Sequence, residues 1–351
     1  MNGLLNKTEC AMLKAIAIVM IMAHNFAHLI NGTVTENEYR FDVFRTSHMW
    51  HNILQPDGML ILNLLSFFGH YGVPIFLFLS GYGLVKKYER QDAVVPSVGS
   101  FIGRHYVKLL KLMLLGLIVF LAVNFIKFHT FKTTWVNLGA QLTMIINLLS
   151  EPWMRIKPGP YWFFGLMIQL YIIYRLFIYS PTTAKHRRWI IPILFVVICQ
   201  VAQIVGARYD LLYWMRYNFF VAGLPFSMGI LMARYDHEIR LNRWLWLLLA
   251  LISAVIVLPM NLRFQIWLWA GAAVIVAAIA LVKALPAWTH RALAWLGGLS
   301  AMLFVVHPIV RALLLEYGQA GHPYLWLCIY LVVSLVLAIP YKWLLDRIKI
   351  G

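Results

Sequence analysis

About ten stretches of this chain are each apolar over close to the ~20 residues a helix needs to cross a bilayer, and that repetition leaves little choice of fold. The windows fall at about 11–31, 59–84, 104–126, 161–179, 189–206, 214–233, 243–260, 264–284, 293–315 and 323–345. Hydrophobic residues make up 62% of the sequence and charged residues 12%, too few to dress a water-facing surface of this length. The sequence therefore reads as all-α, a polytopic membrane protein of about ten transmembrane helices in a single integral-membrane domain over 1–351. The first apolar run has no small-residue cleavage site after it and reads as a retained span.

Thirty Lys and Arg against thirteen Asp and Glu give a net charge of +17. Most of the basic residues flank the apolar windows, so they answer to the positive-inside rule and to anionic lipid; nucleic acid is not expected as a partner. With a cytoplasmic N-terminus, Lys86, Lys87, Arg90 and Arg104 fall inside, followed by Lys185, Arg187 and Arg188. Arg234, Arg240, Arg243, Lys283 and Arg291 follow on the same side, and the tail with Lys342, Arg347 and Lys349 makes the C-terminus cytoplasmic too. The longest polar stretch, 31–58, is an outer loop rich in aromatic and basic residues, suited to cover a cavity. A second outer loop, 127–160, holds WVNLGAQLTMIINLL, which reads as a re-entrant or surface helix because counting it as a span would invert every later loop.

Within this frame the unusual residues are histidines. The first window, LKAIAIVMIMAHNFAHL, opens on Lys14 and carries His24 and His28 where lipid-facing side chains are expected. Ionisable groups inside a span are costly and mark function. Lys14 and His24 stand ~15 Å apart along a helix, about half the hydrocarbon thickness. His24 and His28, four apart, share a face. No Asp or Glu falls deep inside any window, so acid–base work in the membrane devolves on His24, His70 or His307, whose near-neutral titration suits proton transfer. The alternative for each is a packing histidine hydrogen-bonded to a neighbouring helix. No metal is expected, since the apolar windows offer no acidic or cysteine third ligand and Cys10, Cys199 and Cys328 have no paired spacing.

Two further patterns stand out. FFGHYGVPIFLFLSGYGL, residues 67–84, breaks an aromatic run with small residues that allow close approach of a helix or a ligand. Arg104, Lys108 and Lys111 recur at helical spacing as a cationic stripe able to hold the phosphates of a nucleotide-like molecule or lipid headgroups.

Six segments in order, LKAIAIVMIMAH, YGVPIFLFLSGYGL, FIGRHYVKLLK, GPYWFFGLMIQLYIIY, AGLPFSMGILMA and WLGGLSAMLFVVHPI, resemble the membrane-bound acyltransferase family 3, whose members acylate cell-envelope glycans. The family's first helix places ten residues between a basic residue and a histidine taken as catalytic; here nine separate Lys14 from His24, and Asn25 holds the next position. Pro74 stands where an acid is frequent, and Met167 where many members have a glutamate. The resemblance implies transfer of an acyl group, most simply acetyl from acetyl-CoA, to a hydroxyl of an envelope glycan or lipid-linked sugar in the bacterial inner (plasma) membrane. His24 would serve as general base or acyl relay with Lys14 beside the thioester. Arg104, Lys108 and Lys111, with Ser80, Gly81 and Tyr82, would hold the donor, and His28, His70, Trp162, Gln169 and His307 would meet the acceptor. The donor is a substrate, so no permanently bound cofactor is expected; the partners are acyl-CoA, the glycan or lipid-linked acceptor and membrane lipid. The alternative is a proton-coupled transporter or flippase of an anionic envelope precursor, although no inverted repeat of broken helices is visible.

Overall fold

Asn6 sets the start of the first helix. Its side chain accepts from the Glu9 amide at 2.9 Å while Glu9 Oε2 accepts from the Asn6 amide at 2.8 Å, so two otherwise orphaned donors are satisfied at the entrance to Lys7–Ala27. The other oxygen of Glu9 pairs with Lys283 at 2.7 Å, which ties this end to a distant helix. The computed structural model describes residues 3–90, 93–179, 187–235 and 238–347; Lys185 and Lys349 of the charge pattern lie outside them.

Nine helices among the described residues are long and apolar enough to cross a membrane: Lys7–Ala27, Leu60–Tyr88, Val98–Phe128, Gly159–Ile178, Arg188–Arg208, Arg243–Met260, Phe264–Ala284, Ser300–Ala320 and Pro323–Arg347. No strand occurs among the described residues. The window at 214–233 corresponds to the shorter apolar helix Phe219–Arg234. The 127–160 connection holds only short helical pieces, Trp135–Leu142, Ile146–Leu148 and Pro152–Arg155, none of them long enough to span. The 31–58 loop is more ordered than a plain connector: it contains the helix Val43–Leu54, capped by the Asp42 side chain.

The chain divides into two compact units of interleaved segments, Met1–Ala93 with Ser180–Ile204 and Ala222–Ser300, and Val94–Tyr179 with Val205–Val221 and Ala301–Gly351. In the first unit, the helices Gly72–Tyr88 and Gly223–Arg234 cross backbone to backbone. A methyl group on Gly81 would collide with the Phe226 carbonyl, and one on Gly229 with the Phe78 carbonyl, so the crossing needs glycine from both partners. Both helices end at a buried ion pair: Arg234 Nε and Nη2 donate to the two Glu89 oxygens at 2.7 and 2.8 Å, each side chain 2% exposed. Arg234 Nη1 also donates to the Arg188 carbonyl, closing a third helix end onto the pair.

In the second unit, Gly116 admits the Tyr161 hydroxyl, which donates to the Val305 carbonyl at 2.9 Å and joins three spans. The 127–160 connection is tied to the preceding helix where Tyr106 donates to the Leu142 carbonyl at 2.9 Å.

Because the Arg234–Glu89 pair is fully desolvated, removing one partner leaves an uncompensated charge. Glu89→Ala is expected to cost about 3–5 kcal/mol and to lower the thermal unfolding midpoint in detergent, whereas Glu238→Ala, which removes an exposed pair with Arg240, leaves the midpoint close to wild type.

Candidate active site

The first unit concentrates its buried polar groups around His24, 4% exposed within the helix Lys7–Ala27. His24 Nδ1 lies 2.8 Å from the Ser66 carbonyl oxygen. A carbonyl only accepts, so Nδ1 carries the proton and the neutral ring presents the Nε2 lone pair. The second span comes this close because it has glycine at the crossing: a methyl on Gly69 would stand 2.6 Å from His24 Cβ and 2.7 Å from the Met20 carbonyl oxygen.

The neighbouring histidines join it. His28 donates from Nδ1 to the His24 carbonyl at 2.7 Å and stacks its ring on that of His24, with centroids 4.6 Å apart. His70, 4% exposed on the turn Gly69–Tyr71, meets the His24 ring edge-on at 5.7 Å. Asn25 spends its amide on the Ile21 carbonyl. His24 is therefore the first-span residue at the centre of the cluster.

The structure adds two residues that the sequence pattern did not single out. Glu38 Oε2 lies 3.5 Å from His24 Nε2, with side-chain exposures of 14% and 5%. Glu36 completes a trio in which His24 and the two carboxylates each offer an atom within 4.8 Å of the others. Imidazole with two carboxylates is also a donor set suited to a divalent cation.

Both glutamates arrive on the 31–58 loop, which is tied down on either side of them. Val34 donates its amide to Asn63 Oδ1 at 3.0 Å, and its carbonyl accepts from the Ser66 hydroxyl at 2.6 Å. Asn37, fully buried between the two glutamates, donates to Thr46 Oγ1 at 3.2 Å and accepts from the Asp42 amide at 3.1 Å. Thr46 in turn donates to the Asn261 carbonyl, and Arg45 donates to the Glu36 carbonyl. Burial pushes the Glu36 carboxyl above the usual glutamate value; His24 opposes that push and the Glu38 charge adds to it. The signal available in sequence was TENEYR, two acids five and seven residues past the first window in a chain with only thirteen.

Other expected residues of the first unit serve its packing. The Ser80 hydroxyl donates to the Phe76 carbonyl at 2.8 Å, the Tyr82 hydroxyl donates to the Leu5 carbonyl at 3.2 Å, and Gly81 forms the glycine crossing. Lys14 is exposed, on the same helix as His24 but away from the cluster.

In the second unit, Arg104 and Lys108 are exposed and Lys111 half-buried along Val98–Phe128, as the stripe predicts. Trp162 and Gln169 belong to an amide network. Gln169 donates to Asn218 Oδ1 at 2.8 Å and accepts from the Phe219 amide at 3.1 Å, while Asn147 donates to the Trp162 and Tyr217 carbonyls at 2.8 and 2.7 Å. His307, fully buried, donates from Nδ1 to the Leu303 carbonyl at 3.0 Å, and its Nε2 makes no hydrogen bond among the described residues. Arg311, one turn on, acts electrostatically on both His307 and Tyr330. It is a cation inside an apolar window that the loop-by-loop charge pattern passed over.

Compared with known proteins, the chain matches a family model described as an acyltransferase domain across residues 11–343. Neither the curated proteins nor the solved structures give a match.

The Glu36 carboxyl yields a pH prediction. A carboxyl whose folded-state value is raised favours the folded protein most when protonated, and that stability is lost as pH rises through the raised value. Glu36→Gln, which removes the ionisation, should therefore unfold at a higher temperature than wild type at pH 8, with the difference shrinking toward pH 4; thermal scans in detergent across that range measure it.

Proposed function

This chain belongs to the acyltransferase 3 family, and from that membership we propose that it transfers an acetyl group from acetyl-CoA to a hydroxyl of an envelope glycan or lipid-linked sugar in the bacterial inner membrane. The membership makes it a membrane acyltransferase, which sets the transporter reading aside. The observation that carries the mechanism is a buried imidazole with one nitrogen committed to a backbone carbonyl and the other presenting its lone pair.

In this reading His24 Nε2 takes the proton of the acceptor hydroxyl as that oxygen attacks the thioester carbonyl carbon. The C–O bond forms, the C–S bond breaks, and the departing thiolate recovers the proton from the imidazolium. The alternative course on the same residue passes the acyl group transiently through Nε2 before the hydroxyl receives it. The Ser66 carbonyl fixes which nitrogen reacts by holding the proton on Nδ1. His28 and His70 border the reacting ring on its stacked face and its edge, where an acceptor sugar hydroxyl would enter.

The donor is polyanionic, and the exposed cations Arg104 and Lys108 with Lys111 supply phosphate-binding charge on one helix. Lys14, exposed on the same helix as His24 but away from the cluster, supplies a further cation toward the polyanionic donor. Ser80, Gly81 and Tyr82 support donor binding through the packing of the second span, and Trp162, Gln169 and His307 are polar groups within the second unit proposed to meet the acceptor.

Purified protein in liposomes, supplied with radiolabelled acetyl-CoA and followed by thioester loss, tests the proposal. His24→Ala should reduce turnover by about 10²–10⁴-fold at unchanged expression, the range expected for losing a general base. Full activity in that variant overturns His24 as base. The paired variant Arg104→Gln/Lys108→Gln should raise KM for acetyl-CoA while leaving kcat close to wild type; an unchanged KM removes the stripe from the donor site.

A further inference from the structure

We propose that Glu38, held over His24 by the 31–58 loop, is the positioning residue of the reaction, the carboxylate that stabilises the imidazolium formed when His24 takes the acceptor's proton. The inference rests on the reading of His24 as base and adds a partner from outside the membrane spans.

The geometry makes the case in three steps. First, the Ser66 carbonyl holds the proton on Nδ1, so Nε2 is the nitrogen that gains a proton, and Nε2 is the atom that faces Glu38 at 3.5 Å. With the ring neutral, the lone pair and the carboxylate are both acceptors, and the separation exceeds an ordinary charge-assisted hydrogen bond. The contact becomes an ion pair when Nε2 takes up a proton. Its attraction is thus realised in the transition state rather than in the ground state, which is how an interaction raises turnover instead of affinity.

Second, one residue sets both members of the pair. The backbone carbonyl of Ser66 orients His24, and its hydroxyl binds the Val34 carbonyl just before the two glutamates. Ser66 is fully buried, so neither bond competes with water. Asn37, between the glutamates, is fixed through Thr46 to Asn261, which stops the loop from sliding over the ring.

Third, the surroundings leave the pairing to Glu38. The titratable or charged groups facing His24 are His28 and His70 on its own and the adjoining span, and Glu36, Glu38 and Arg45 on the loop. Lys283, on another helix packed against the first span, is paired with Glu9 at the far end of that span. Of the two carboxylates, Glu38 is the one whose oxygen stands 3.5 Å from His24 Nε2.

The test measures kcat, KM for acetyl-CoA and the pH–rate profile for the full chain in liposomes, for wild type, Glu38→Gln, Glu38→Asp and His24→Ala, with and without a chelator. Glu38→Gln should lower kcat by about 10–100-fold, leave KM within about twofold and move the acid limb of the profile to lower pH by about one unit. Glu38→Asp, which keeps the charge on a shorter arm, should return the limb to the wild-type position with intermediate kcat. A purely structural role would lower kcat without moving the limb, and that result overturns the proposal. If His24→Ala is inactive but Glu38→Gln matches wild type, this inference fails alone; if His24→Ala is fully active, the reading of the base fails first. Wild-type activity abolished by chelator and restored by added zinc would assign the carboxylates to a metal ion and overturn the proton-pair reading.

Discussion

An imidazole buried in a membrane span depends on the protein for its polar contacts, because the hydrocarbon offers none. His24 donates from Nδ1 to the Ser66 carbonyl and sets Nε2 3.5 Å from a carboxylate carried by the 31–58 loop. Much of the first unit's local architecture follows. The second span carries glycine at position 69 so that its backbone can reach the ring, and the 31–58 loop folds back to deliver Glu38. Asn37 and Thr46, both fully buried, anchor that loop where a solvated connector would need no anchor.

The same economy of polar groups recurs elsewhere in the chain. In the first unit, Arg234 and Glu89 satisfy each other in a fork of two hydrogen bonds with almost no solvent, at the end of a helix pair packed through opposed glycines. In the second unit, Asn147, Gln169 and Asn218 exchange amide hydrogen bonds with one another and with nearby backbone, which replaces water as solvent for three turns of chain. The cationic stripe differs from these. Arg104 and Lys108 are exposed along the helix Val98–Phe128.

Family membership and site geometry constrain the chemistry from different directions. The family supplies the class of reaction, acyl transfer by a membrane protein. The geometry supplies an atom able to start it, since one tautomer is enforced on a buried histidine beside a carboxylate whose attraction grows as a proton arrives. His28 and His70 are the histidines whose rings lie against that of His24, at 4.6 and 5.7 Å between centroids.

The sequence by itself determined the membrane fold, because spanning length and apolar composition are local properties written in consecutive residues. Nine of the windows became spanning helices among the described residues, the window at 214–233 became the shorter helix Phe219–Arg234, and the helical pieces within 127–160 are too short to cross. His24 was also legible, since an ionisable group in an apolar run carries its own cost wherever the helix packs. Glu36 and Glu38 were not. Scanning the spans for acids missed them because they belong to a loop, and only tertiary folding sets a loop residue over a helix many positions away. For the same reason sequence could not show that Gly81 and Tyr82 lie where helices touch each other and the chain's start. Periodicity fixes which face of a helix a residue occupies, but what lies opposite that face is a long-range choice, made by packing and by the need of every buried polar group for a partner.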